Sequence, residues 1–441
     1  MTRIRICLSM ALAFASAAAA PPPARTAGAA PPGAMSKFDH DQAVMMLSIV
    51  VKDVQDYYYD PTFHGQKLDA LVEQAKQSIS GARTQAEINA AIANTLLPLD
   101  DSHTYFVPPY WAAKIEFGWF VQMVGDRCHV SAVRPGSDAE SQGVKKGDLV
   151  VSIDGQAPTR DNLPILMYDQ RLLAPRSRST LVLRPPVGET REVVVRPKVE
   201  QQKIVQTKWD NATIYRELAD AAYLDRHRLA ALNDEVLVWK MPQFNLYREN
   251  VVRMIAKTMK YRKLILDLRG NPGGAVETLE FMVGGFLGEK VTIGEQRGRK
   301  PEPPMVSRKT KDRFEGDLIV LVDGESASAA ELFARTMQIE GRAKVLGDRT
   351  SGRVMVSRYY DRKVGMGTSR YFGTSITVAD IIMTDGRSLE HTGVTPDEII
   401  LPSAEDLALD RDPVLSRAAW MCGVTIGPID AGALFPFEWK R

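Results

Sequence analysis

Cysteine is scarce in this chain: three in 441 residues, Cys7, Cys128 and Cys422. Cys7 falls in a leader-like start, and the other two fall in different predicted domains, which argues for two separate thiols rather than a disulfide framework. Histidine is sparse as well. His40, His64, His129, His227 and His391 stand singly, with no partner at metal-ligand spacing, so the sequence predicts no metal and no cofactor. Neither sign of charge dominates. The 56 basic and 54 acidic residues are interspersed at a net +2, which leaves no electrostatic footprint for nucleic acid or an anionic membrane. Long apolar runs are missing too, since residues 6–15 fall short of the roughly 20 residues a spanning helix needs. There is no internal repeat.

Those first residues have another meaning. Arg3 and Arg5, the apolar run and an alanine-rich exit predict a secretory signal over residues 1–20 and an exported chain, periplasmic or secreted, with no membrane insertion after cleavage. The Pro- and Ala-rich residues 21–35 then read as a disordered linker. Within 36–115, Val44, Leu47, Val51, Val54 and Tyr58 step by three and four, Leu68, Leu71, Ala75 and Ile79 repeat the pattern, and Thr84 to Glu87 form a capping box, which together predict a helical bundle. Its last helix runs into the loop of Asp100, Asp101, Ser102 and His103. From residue 116 the pattern changes to short strands, and from about 201 strands alternate with helices, as in an α/β core with a mainly parallel sheet.

Two stretches of that core carry chemistry. The apolar residues 317–323 predict a buried strand, which turns at Gly324 into the small residues 326–330 and a helical composition, so Ser328 falls at the first turn of a helix. There the positive end of the helix dipole and unpaired N–H groups favour a nucleophile and the oxyanion it generates, although small residues packing a helix on a sheet would look the same. Upstream, KLILDLRGNPGG (263–274) is an apolar strand ending in Asp267 and Arg269, followed by a glycine-rich turn that lets backbone amides approach a ligand.

Together these stretches resemble the carboxyl-terminal processing, or tail-specific, proteases over residues 40–419. The resemblance implies a Clp protease/crotonase-like spiral core of β-β-α units at 201–420, Ser328 as nucleophile and the N–H groups of Gly274 and Ala329 as oxyanion hole, with Asp267 and Arg269 as scaffold. It breaks at residue 353. Most members place a lysine base there and a glutamine four positions later, whereas this chain has Arg353 and Ser357, and a guanidinium does not give up its proton at working pH. The tricorn-type branch of the same family uses a Ser-His pair and a distant glutamate, which Ser102, His103 and Glu390 match, by the logic of an imidazole base oriented by polar neighbours. Residues 116–200 resemble a PDZ domain, with Gly118, Trp119 and Phe120 in the place of the carboxylate-binding loop, and strand addition would let it hold a peptide's end.

Two functions are expected on these grounds. One is an exported serine endopeptidase acting on protein or peptide substrates through an acyl-enzyme on Ser328, with PDZ-assisted recognition of C-terminal tails. The other is an inactive relative that binds peptide tails, with Arg353 having ended catalysis. A homo-oligomer is left open, and residues 421–441 carry no motif.

Overall fold

The computed structural model describes residues 35–109, 113–174, 176–201, 226–365 and 369–439. The predicted leader and nearly all of the predicted linker lie outside them.

The core is a six-stranded sheet in the order Glu398–Ile399, Ala343–Gly347, Asp317–Val322, Lys263–Asp267, Val236–Lys240, Arg228–Ala231. All neighbours are parallel except the last pair. Parallel strands joined by helices are covered on both faces and so read as continuous apolar runs, which explains VLVWK, KLILD and DLIVLV. Alternate side chains divide between two apolar clusters. Leu237, Trp239, Leu264, Leu266, Val320 and Val322 pack with the helices Arg248–Thr258, Val276–Leu287 and Ala329–Ile339. Val236, Val238, Ile265, Ile319 and Leu321 pack against Pro413–Met421 on the other side. The carboxyl ends of Lys263–Asp267 and Asp317–Val322 therefore emerge side by side, where an open α/β sheet presents its crevice.

A second sheet is built on the long hairpin Met355–Val364 and Arg370–Met383. The helices Lys37–Tyr57, Leu68–Gly81 and Gln85–Asn94 lie against it and complete their core with Val364, Phe372 and Ile376 of the hairpin, so their apolar faces are not buried among themselves alone. Only half of the expected capping box forms: Thr84 Oγ1 accepts from the Glu87 N–H at 3.2 Å, but the Glu87 carboxylate takes the Arg83 amide instead. After these helices the short strand Tyr105–Val107 pairs antiparallel with Arg370–Met383, from Tyr105 opposite Ser375 to Val107 opposite Gly373. That pairing fixes the loop bearing Ser102 and His103 on the core.

Residues 119–195 form a five-stranded antiparallel sheet with its own apolar cluster. Its first strand, Trp119–Val124, stands at one end of the strand order and pairs with Arg127–Val133. This body is latched to the core by Asp348, whose Oδ2 accepts from the Arg160 guanidinium at 2.7 Å and from the Gly125 N–H at 2.8 Å. Cys128 and Cys422 are both free and buried, in separate clusters.

Candidate active site

Ser328 lies between the strand Asp317–Val322 and the helix Ala329–Ile339, with φ 54° and ψ −119°. A side chain other than glycine rarely takes such a backbone, at a cost of order 1–3 kcal/mol, and the surroundings hold it there. The Ser328 N–H donates to the Arg353 carbonyl at 3.0 Å and to Glu331 Oε2 at 3.0 Å. Glu331 is fully buried and is the hub of this corner. Its two oxygens also accept from Thr350 Oγ1 at 2.5 Å and from the N–H groups of Gly352 and Arg353 at 2.8 and 3.0 Å. Burial pushes its carboxyl up to about 7 despite these donors. Glu331 is not among the residues the sequence marks for chemistry, although the Ser-x-x-Glu spacing at a helix start is a visible signal of it.

The glycine-rich turn lies against Ser328. A Cβ on Gly273, where φ is +95°, would come within 2.7 Å of the Ser328 Cβ and 2.9 Å of the Ala329 nitrogen. On Gly274, at φ +143°, it would strike the Phe244 carbonyl oxygen at 2.3 Å. Asn271, wholly buried, braces the turn: its amide side chain donates to Met241, its carboxamide oxygen accepts from Gly273 N, and its carbonyl accepts from Ala327 N. Beneath it Asp267 binds Arg269, which forks onto Asp412 at 2.8 and 2.7 Å. Burial would raise Asp267, but Arg269 and Lys240 prevail and hold it well below the ordinary carboxylate range. Among the described residues, the N–H groups of Gly274 and Ala329 donate no hydrogen bond. Two unpaired donors thus lie at Ser328 and in the turn packed against it.

The loop of Ser102 and His103 meets Glu390 at this corner. Glu390 Oε1 accepts from the Ser102 N–H at 2.8 Å, and Oε2 accepts from the Ser102 hydroxyl at 3.0 Å and the Val354 N–H at 2.7 Å. Ser102 Oγ is 2.6 Å from His103 Nδ1. The hydroxyl has one proton, which goes to Glu390, so it accepts from Nδ1–H and leaves Nε2 as the unprotonated nitrogen. Burial lowers His103 to about 4, the Arg353 guanidinium lowers it further within that shift, and Asp101 opposes them. The Asp101 carboxylate secures the loop by accepting the N–H groups of His103 and Thr104.

Arg353 joins the two halves. Its carbonyl holds the Ser328 amide, and its guanidinium donates to the Ser102 carbonyl at 3.4 Å. Among the described residues no hydrogen bond links His103 to Ser328. The structure therefore brings Ser102, His103 and Glu390 into one chain and gathers Ser328, Gly274 and Ala329 into another. Gly118, Trp119 and Phe120 lie in the separate antiparallel body, where the Trp119 indole, 2 % exposed, is part of the apolar core rather than of a surface pocket.

Residues 235–400 match the model of Peptidase family S41. Carboxyl-terminal-processing peptidase 1, chloroplastic, of Arabidopsis thaliana is 25% identical over 377 residues, 80% of this chain and 70% of the relative. The carboxy-terminal-processing protease of Bartonella bacilliformis is 26% identical over 369 residues, 81% and 79% of the two chains. Among solved structures, mature CPAF complexed with lactacystin has the same fold, with a TM-score of 0.61 at 15% identity over 84% of this chain and 95% of that one. Over residues 235–400 the chain is thus similar to Peptidase family S41, and the curated relatives it resembles along most of its length are carboxyl-terminal-processing peptidases.

Proposed function

We propose that this protein is an exported serine endopeptidase of the tail-specific type, in which Ser328 attacks the scissile carbonyl and His103 is the general base. The observation that carries the reading is the Glu390–Ser102–His103 chain, which leaves Nε2 free to accept a proton on a loop that Arg353 ties to the strained Ser328. In the first step the Ser328 Oγ–H proton passes to His103 Nε2 as Oγ bonds to the carbonyl carbon. The amides of Gly274 and Ala329 stabilise the oxyanion, and the imidazolium returns the proton to the leaving amine. Water then repeats the sequence on the acyl-enzyme. No cofactor enters any step. Residues 116–200 serve as a PDZ domain whose strand Trp119–Val124 receives the substrate's end near Gly118 and Phe120, and 201–420 is the Clp protease/crotonase-like core. Hydrolysis of a fluorogenic peptide by the natural chain, lost in Ser328→Ala, tests this.

A second reading has its own support. Arg353 stands where the resemblance places a lysine, its guanidinium lies at the base loop, and no hydrogen bond joins His103 to Ser328. On that reading the chain binds peptide tails without cutting them. Apo sites often close the nucleophile-base contact only with substrate bound, which favours the peptidase.

A further inference from the structure

Beyond the helix Pro428–Ala433 the chain runs back to the edge of the antiparallel sheet of residues 119–195. It is fastened on the way. The Pro436 carbonyl accepts from Arg228 at 2.7 Å, and the Glu438 carboxylate accepts from Arg226 at 2.8 and 2.9 Å. Phe437 and Trp439 then set their rings 5.9 and 5.5 Å from that of Phe120 and 4.9 Å from each other. The Arg134 guanidinium lies over Trp439 at 5.6 Å, and that of Arg171 over Phe120 at 5.0 Å. In an extended chain, residues two apart share a side and the one between them turns away. Phe437 and Trp439 on Phe120, with Glu438 on Arg226, follow that rule.

The place is as telling as the chemistry. Phe120 belongs to the strand Trp119–Val124, the first in its sheet's strand order, and it follows Gly118, whose carbonyl accepts from Arg134 N at 2.8 Å. The segment therefore sits beside the loop where a peptide's end would enter. Phe437 stays 42 % exposed, so the contact is shallow and open to exchange.

We propose that Phe120, Arg134, Arg171 and Arg226 form a peptide subsite selective for an extended aromatic-acidic-aromatic tail, and that residues 437–439 are its intramolecular occupant. The inference rests on the reading of residues 116–200 as a peptide-binding domain. Ring stacking and cation-π contacts are individually weak, but a tethered ligand works at an effective concentration of order millimolar, enough to keep a modest site filled. An incoming tail binds only as this segment leaves, and its apparent affinity is reduced by the vacant fraction.

The test uses the full chain with Ser328→Ala, to prevent cleavage, and a fluorescein-labelled peptide Pro-Phe-Glu-Trp-Lys-Arg, the sequence of residues 436–441, read by anisotropy. Adding Phe437→Ala with Trp439→Ala tightens probe binding by about tenfold. Phe120→Leu, which keeps apolar volume but removes the ring, reverses that gain. Affinity unchanged by the paired alanines, or a gain that Phe120→Leu leaves intact, overturns the proposal. Because the probe is bound and not cut, the result does not depend on peptidase activity, whose own failure shows as absent hydrolysis by the chain with Ser328 intact.

Discussion

Ser102 and Glu390 stand 288 positions apart in the sequence and share two hydrogen bonds, the Ser102 N–H to Oε1 at 2.8 Å and its hydroxyl to Oε2 at 3.0 Å. Glu390 thus orients Ser102, and on the proposed mechanism Ser102 fixes the His103 tautomer while His103 moves the proton. Glu390 and Ser102 are positioning residues on that reading. His103→Ala is predicted to lower kcat/KM by about four to six powers of ten, as single losses in such units do, and Glu390→Gln by less. Steady-state hydrolysis of a fluorogenic peptide checks the ranking. Equal losses would mean that Glu390 acts directly.

The lowered His103 has a signature in pH. An imidazole held down to about 4 is neutral, and so competent as a base, through the mildly acidic range. The acid limb of kcat/KM is therefore predicted near pH 4 rather than near 6.5. Arg353→Met removes a cation that lowers the group, and the limb moves up. Stability follows the same sign: as pH falls from 6.5 toward 4 the unfolded chain takes a proton that the folded His103 refuses, so this residue's contribution declines.

Glu331 accepts four hydrogen bonds, and the carboxamide of Glu331→Gln would aim donors at donors. The predicted cost is about 2–4 kcal/mol of unfolding free energy, with loss of activity because the Ser328 amide and the 350–353 loop lose their common anchor. Urea denaturation measures the first and peptide hydrolysis the second. Since burial raises this carboxyl to about 7, its ionisation weighs against folding above that pH, and the penalty fades as pH falls toward its unfolded value of 4.5.

Gly273→Ala adds a methyl group 2.7 Å from the Ser328 Cβ at a φ of +95°. One of the two must move. A shift of about 1 Å at a nucleophile costs on the order of a hundredfold in rate, so kcat should fall at least that far in a chain that still folds. Circular dichroism with peptide hydrolysis separates the two effects.

Much of this was legible in the sequence. VLVWK, KLILD and DLIVLV read as strands because both their faces are buried, and the three- and four-residue steps of the first helix were plain. Ser328 stood out because a strand, a glycine and a helix start are local signals. The joining of residue 102 to 390 is not local; it had to come from resemblance, since no periodicity encodes a contact across two domains. Trp119 carried a misleading signal, because a loop-like Phe-Gly-Trp-Phe gave no sign of which ring turns inward. The tail after residue 421 had no motif, yet Phe437 and Trp439 acquire a partner once the fold brings Phe120 to them.

The central claim is that His103 activates Ser328. Labelling by a fluorophosphonate probe, read by mass spectrometry at Ser328 in the natural chain and in His103→Ala, tests it most directly. The account predicts rapid modification of Ser328 in the natural chain and a loss of several powers of ten in rate without the imidazole. A natural chain that stays unlabelled, but reacts once Arg353→Lys is introduced and does so whether or not His103 is present, would contradict it.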